Sequence, residues 1–80
     1  MIAYATITSQ YSTIPIMNRV MIMADSHSQI VASIAETADY CAKSLACGGC
    51  EYRVDSFDLK RDTSNCDELH YHVRILALPV

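Results

Sequence analysis

Basic residues are scarce in this chain. Six lysines and arginines stand against nine aspartates and glutamates, a formal charge of −3. The basic excess with which a nucleic-acid-binding domain gathers phosphates is therefore missing, and a basic protein surface is the better electrostatic match. Glycine and proline are scarcer still, with two of each in 80 residues, while 51% of the chain is hydrophobic. That balance excludes the disordered class and fits one small folded domain over residues 1–80. No run approaches the roughly 18 unbroken apolar residues of a membrane span. The opening MIAYATITSQ has neither the basic start nor the apolar block of a secretory signal. The expected setting is the cytoplasm, with thiols kept reduced.

Catalytic signatures are missing as well. The chain contains no G-x-S-x-G elbow, no phosphate-cradling glycine loop and no H-E-x-x-H pair. The acidic stretch after residue 51 lacks the D-x-[DN]-x-[DN]-G order of a calcium loop. No catalytic residue and no cofactor is expected, and the protein reads as a non-enzyme.

The residues that are present pattern cleanly. Residues 1–11 alternate, with Ile2, Tyr4, Thr6 and Thr8 on one side and Ala3, Ala5 and Ile7 on the other, rich in β-branched and aromatic types, which predicts a strand. SQYSTIP (9–15) reads as a turn, and Pro15 suits a strand edge. A second strand is expected over 16–24, with Val20, Ile22 and Ala24 facing one way and Arg19, Met21 and Met23 the other. Ser26-x-x-Gln29 has the form of a capping box. Ile30, Ile34, Ala38, Cys41 and Leu45 then recur at helical spacing until Gly48 and Gly49 stop the helix. A third strand is expected over 52–57, a polar loop over 58–68 and a last strand over 69–78. In that last strand Leu69, Tyr71, Val73, Ile75 and Ala77 oppose His70, His72, Arg74, Leu76 and Leu78. The order ββαββ predicts an α+β fold: a four-stranded antiparallel sheet with one helix packed on one face.

Four cysteines need an account. Cys47-Gly48-Gly49-Cys50 follows the helix, where the dipole disfavours thiolate, which argues against a redox pair. Cys47, Cys50, Cys66 and His70 have spacing close to a Cys₃His zinc site. The expected C-terminal hairpin opposes this, because it sets Cys50 and Cys66 on the order of 20 Å apart. The preferred reading is no metal, with that zinc set as the alternative. His70 and His72 share a strand face about 7 Å apart. They lack an identifiable third ligand in the sequence and read as part of a wet sheet face.

Six of the nine acids, Glu51, Asp55, Asp58, Asp62, Asp67 and Glu68, fall between residues 51 and 68. They are the candidate partner-binding residues, since spaced carboxylates can imitate a phosphate backbone toward a basic groove. A homodimer through Met21, Met23, Leu76 and Leu78 is a further option.

The plan of strands, then RVMIMADSHSQIVASIAETA, then a second hairpin, in a short acidic chain, resembles anti-CRISPR proteins of bacteriophages. That resemblance implies a stoichiometric inhibitor in the cytoplasm of a bacterial host. It would occupy the basic, nucleic-acid-binding surface of a CRISPR effector subunit without itself binding nucleic acid or membrane.

Overall fold

In a computed structural model of the chain, which describes residues 1–45, 51–64 and 67–80, the elements run in the expected order. They are β1 (Ile2–Ser9), β2 (Ser12–Met23), α1 (His27–Ser44), β3 (Tyr52–Asp62) and β4 (His70–Pro79). The strands form one sheet in the order β2-β1-β4-β3. The α+β class and the four-stranded sheet with one helix are as the alternation predicted.

One expectation needs correction. β1 pairs antiparallel with β2, and β3 with β4, but β1 and β4 lie side by side in parallel, Tyr4 opposite His70 through Ser9 opposite Ile75. The sheet is mixed. The helix returns the chain to the end of the sheet where β2 began, so β3 runs parallel to β2. Their hairpin partners β1 and β4 must then be parallel wherever they are neighbours. They are neighbours because both edges are taken. β2 carries Pro15 and two register shifts, and β3 carries Arg53, Asp55, Asp58, Lys60 and Arg61 as exposed residues; irregularity and charge are what edge strands tolerate.

Two boundaries also move. β2 starts at Ser12, so the turn of the first hairpin is only Gln10 and Tyr11, and β3 continues through Asp62, so residues 58–62 are strand rather than loop. In β3 the apolar alternation shifts phase once, at the irregularity between Val54 and Ser56. Beyond it Phe57 and Leu59 again face inward, half-buried against the core.

The core lies between α1 and one face of the sheet. Ala3, Ala5 and Ile7 of β1, and Tyr71, Val73, Ile75 and Ala77 of β4, are buried against Ile30, Ile34, Ala38, Cys41 and Ala42 of α1. The helix begins where expected: Ser26 Oγ accepts from the Gln29 N–H at 3.3 Å, and Gln29 Oε1 accepts from the Asp25 N–H at 2.8 Å. Lys43 closes on Asp39 at 3.2 Å in the last turns, favourable for a cation near the helix C-terminus. Burial pushes the Cys41 thiol up, which leaves it a packing residue rather than a nucleophile.

Gln10 extends the parallel ladder with its side chain. Its Nε2 donates to the Ala77 carbonyl at 2.6 Å, and its Oε1 accepts from the Ala77 N–H at 3.2 Å. Gln10→Ala leaves that buried N–H without its partner, an expected cost of about 1–2 kcal/mol. Urea denaturation should show a lower midpoint with unchanged slope.

Candidate functional site

The helix covers one side of the sheet, so the side chains of interest stand on the other. Register defines them in rows. Met21, Tyr4, His70 and Asp62 lie across the four strands in one row, and Thr6, His72 and Lys60 lie across three strands in the next outward-facing row. The row after that holds Thr8, Arg74 and Asp58.

Arg19 links the first two rows to the entry of β4. Its backbone is left-handed, with φ 51°, at a register shift between Ala5 and Ile7. The left-handed region disfavours any residue with a Cβ, and bulges are where strands re-aim a side chain. Here the guanidinium passes over Tyr4, Cζ 4.5 Å from the ring centroid. It then grips Glu68 with two hydrogen bonds, Nη1 to Oε2 and Nη2 to Oε1, both 2.9 Å. The pair raises the Arg19 pKa and lowers that of Glu68, chiefly through these hydrogen bonds.

Beneath Arg19 lies Thr6, a polar residue buried on the otherwise open face. Thr6 Oγ1 accepts from the Arg19 N–H at 3.3 Å, donates to Asn18 Oδ1 at 3.4 Å and meets His70 Nε2 at 2.9 Å. Beside it His72 Nε2 is 3.0 Å from Asp62 Oδ2, and His70 Nδ1 is 3.7 Å from the same oxygen. The Ser64 N–H donates to the other oxygen, Asp62 Oδ1, at 2.9 Å. The Ser64 hydrogen bonds, and after them His72, hold the Asp62 carboxyl well below the usual carboxylate range.

The six sequence-predicted acids are used in different ways. Asp62 sits with the two histidines and Glu68 with Arg19. Glu51 lies at the entry of β3 with its carbonyl accepting from the Val80 N–H at 2.8 Å. Asp55 and Asp58 are exposed on β3, interleaved with Arg53, Lys60 and Arg61, and Asp67 is exposed just before Glu68. The structure does not gather these six into one uninterrupted acidic face. Of the alternative zinc ligands, His70 is in the cluster just described, while Cys47, Cys50 and Cys66 lie outside the described residues. Met21 and Met23 are exposed at one end of the open face, and Leu76 at the other. By register they are separated by six to eight residues of strand, roughly 20–26 Å.

A second feature adjoins this end of the sheet. Met1, Ile2, Met23, Ala24, Asp25, Gln29, Ala32, Ser33 and Glu36 line an open cleft of about 720 Å³ between α1 and the β1–β2 edge. Its described lining holds two carboxylates, Asp25 and Glu36, against one cation, the Met1 ammonium, which donates to the Ala24 carbonyl at 2.8 Å. Ile2, Met21 and Met23 are 50%, 56% and 70% exposed. Ile2 pairs with Met23 and Tyr4 with Met21, so these side chains form one apolar strip that runs into the cleft.

Sequence reasoning did not find the third member of the histidine cluster or the cleft. Asp62 was hidden because 58–68 read as loop, although a strand reaching Asp62 places it opposite His70. Asp25 and Glu36 are 11 positions apart in the sequence, and only the packing of α1 against the β1–β2 edge brings them to one cleft. Comparison with protein-family models, with curated proteins and with solved structures gives no match. Among the described residues no helix is long and apolar enough to cross a membrane.

Proposed function

We propose that the protein is a non-catalytic binding module of the inhibitor or adaptor kind, which covers a basic protein surface. The observation that carries this reading is the exposed strip of Ile2, Met21 and Met23 running into the cleft that Asp25 and Glu36 border. Methionine, tyrosine and arginine are enriched in the buried centres of interfaces, and here Tyr4 and Arg19 stand beside the strip. A partner that fits offers an apolar side chain flanked by lysine or arginine. The net charge of −3 steers such a partner in from a distance. The resemblance to anti-CRISPR proteins gives a narrower form of the proposal, in which the covered surface is the nucleic-acid channel of a CRISPR effector complex.

The test uses two synthetic amphipathic peptides of one leucine pattern, one with lysines and one with glutamates on the polar face, each titrated against the protein. The lysine peptide should bind, and its affinity should fall as salt rises. The Asp25→Lys/Glu36→Lys variant, shown folded by circular dichroism, should lose at least tenfold for the lysine peptide and gain for the glutamate peptide. Equal binding of both peptides by the unaltered protein overturns the proposal. Light scattering at the same concentrations should report a monomer; a dimer would assign the strip to a second copy of the chain instead. For the narrower form, target-DNA binding by a purified effector complex should be lost stoichiometrically on adding the protein. Undiminished DNA binding at saturation removes that form and leaves the peptide result standing.

A further inference from the structure

We infer that Asp62, His70 and His72 form a binding site for a divalent transition-metal ion, zinc or a metal of similar softness. One nitrogen of each imidazole and one carboxylate oxygen of Asp62 lie within 4.8 Å of one another. The two distances to Asp62 Oδ2, 3.0 Å from His72 and 3.7 Å from His70, bracket the separation of about 3.3 Å between ligands held tetrahedrally at roughly 2.0–2.1 Å from zinc. The widest separation among the three ligand atoms, 4.8 Å, has to shorten by about 1.5 Å on binding.

The surroundings are arranged as a metal would need them. Thr6 has one hydroxyl proton. If that proton goes to Asn18 Oδ1, 3.4 Å away, Thr6 Oγ1 is left to accept from His70 Nε2 at 2.9 Å, which is the tautomer that coordination through Nδ1 requires. In that tautomer the lone pair of His70 is on Nδ1, the atom that faces Asp62 Oδ2. A metal ion seated between Nδ1 and Oδ2, 3.7 Å apart, would take a lone pair from each. Ligating histidines ordinarily give their second N–H to a fixed oxygen, and the Thr6 that takes it is buried. Asp62 is oriented likewise: the Ser64 N–H holds Oδ1, while Oδ2 faces both histidines, and its 3.0 Å contact with His72 Nε2 is the hydrogen bond that a metal would replace. Strand register supplies the rest, because His70 stands directly opposite Asp62 and His72 is two residues on along the same face. Side-chain exposure rises from 15% for His70 and 25% for Asp62 to 53% for His72, so the cluster has a closed side and an open one. Three protein ligands with free positions toward solvent match an imidazole-preferring ion; two nitrogen ligands suit neither calcium nor magnesium.

The site is separate from the acid-bordered cleft, so its test is independent of peptide binding. Thiols also bind zinc, so the test is made in the full chain carrying Cys47→Ser, Cys50→Ser and Cys66→Ser. In that background calorimetric titration should show one equivalent of zinc bound, unaffected by excess magnesium. Cobalt should give d–d absorption without a thiolate charge-transfer band, and the His70 and His72 ring resonances should shift on zinc addition. Adding His72→Gln, at the most exposed ligand, should weaken zinc binding at least tenfold, with the metal-free melting curve little changed. Adding Asp62→Asn should weaken it similarly. Loss of zinc binding in the serine background, or binding undiminished by His72→Gln, overturns the inference.

Discussion

Ile34→Ala is expected to lower stability by about 2–5 kcal/mol, the range for removing a buried aliphatic side chain that its surroundings cannot replace. Ile34 is fully buried at the middle of the α1 stripe, in one cluster with Ala5, Ile7, Val73 and Ile75. Ala38, Cys41 and Ala42 continue that stripe with small groups, so no neighbour on the helix can swing into the space. A chain of 80 residues commands about 4–12 kcal/mol in all. The variant therefore loses a large part of its fold. Each kcal/mol moves Tm by roughly 4–8 °C in a domain of this size, so the loss is readable by thermal circular dichroism. Ile34→Val is the companion measurement, expected to cost about 0.5–1.5 kcal/mol. Equal effects of the two substitutions would mean that the helix does not pack on the sheet as described.

Ala5→Leu is expected to destabilise for the opposite reason. Ala5 lies in a row with Val20 and Tyr71 on the helix-facing side of the sheet and has no exposed surface. The Tyr71 ring uses the room that the alanine methyl leaves, and its hydroxyl reaches His27 Nδ1 at 3.2 Å, the first residue of α1. Three more carbons at position 5 compete with that ring, at a cost of about 1–3 kcal/mol. The near-ultraviolet signal of tyrosine should change, and the urea midpoint should fall. A more stable Ala5→Leu protein would reveal a void under the helix start and would refute the packing.

Much of the fold was legible because alternation and helical spacing are local. Ala3, Ala5 and Ile7, and likewise Tyr71, Val73, Ile75 and Ala77, are separable from their outward neighbours by period-two patterning alone, and all seven are buried, although Thr6 on the opposite face is buried as well. Ser26 and Gln29 marked the helix start through residue chemistry. The sequence alone ends β3 five residues short, at Phe57, because its phase shifts at the Val54–Ser56 irregularity and its second half is charged, which disguises Leu59 as an isolated apolar residue. A loop over 58–68 gives Asp62 no register, and His70 and His72 then have no third ligand.

The sequence by itself determined the elements, their inward faces and the acidic balance of the chain, since each follows from nearest neighbours or from simple counting. Tertiary structure alone decided that β1 and β4 are neighbours and hence parallel, that Arg19 reaches across Tyr4 to Glu68, and that Asp62 meets two histidines. Strand adjacency and side-chain convergence depend on where a helix returns the chain and on which strands can bear an unpaired edge. Those are properties of the whole assembly, and no window of residues carries them.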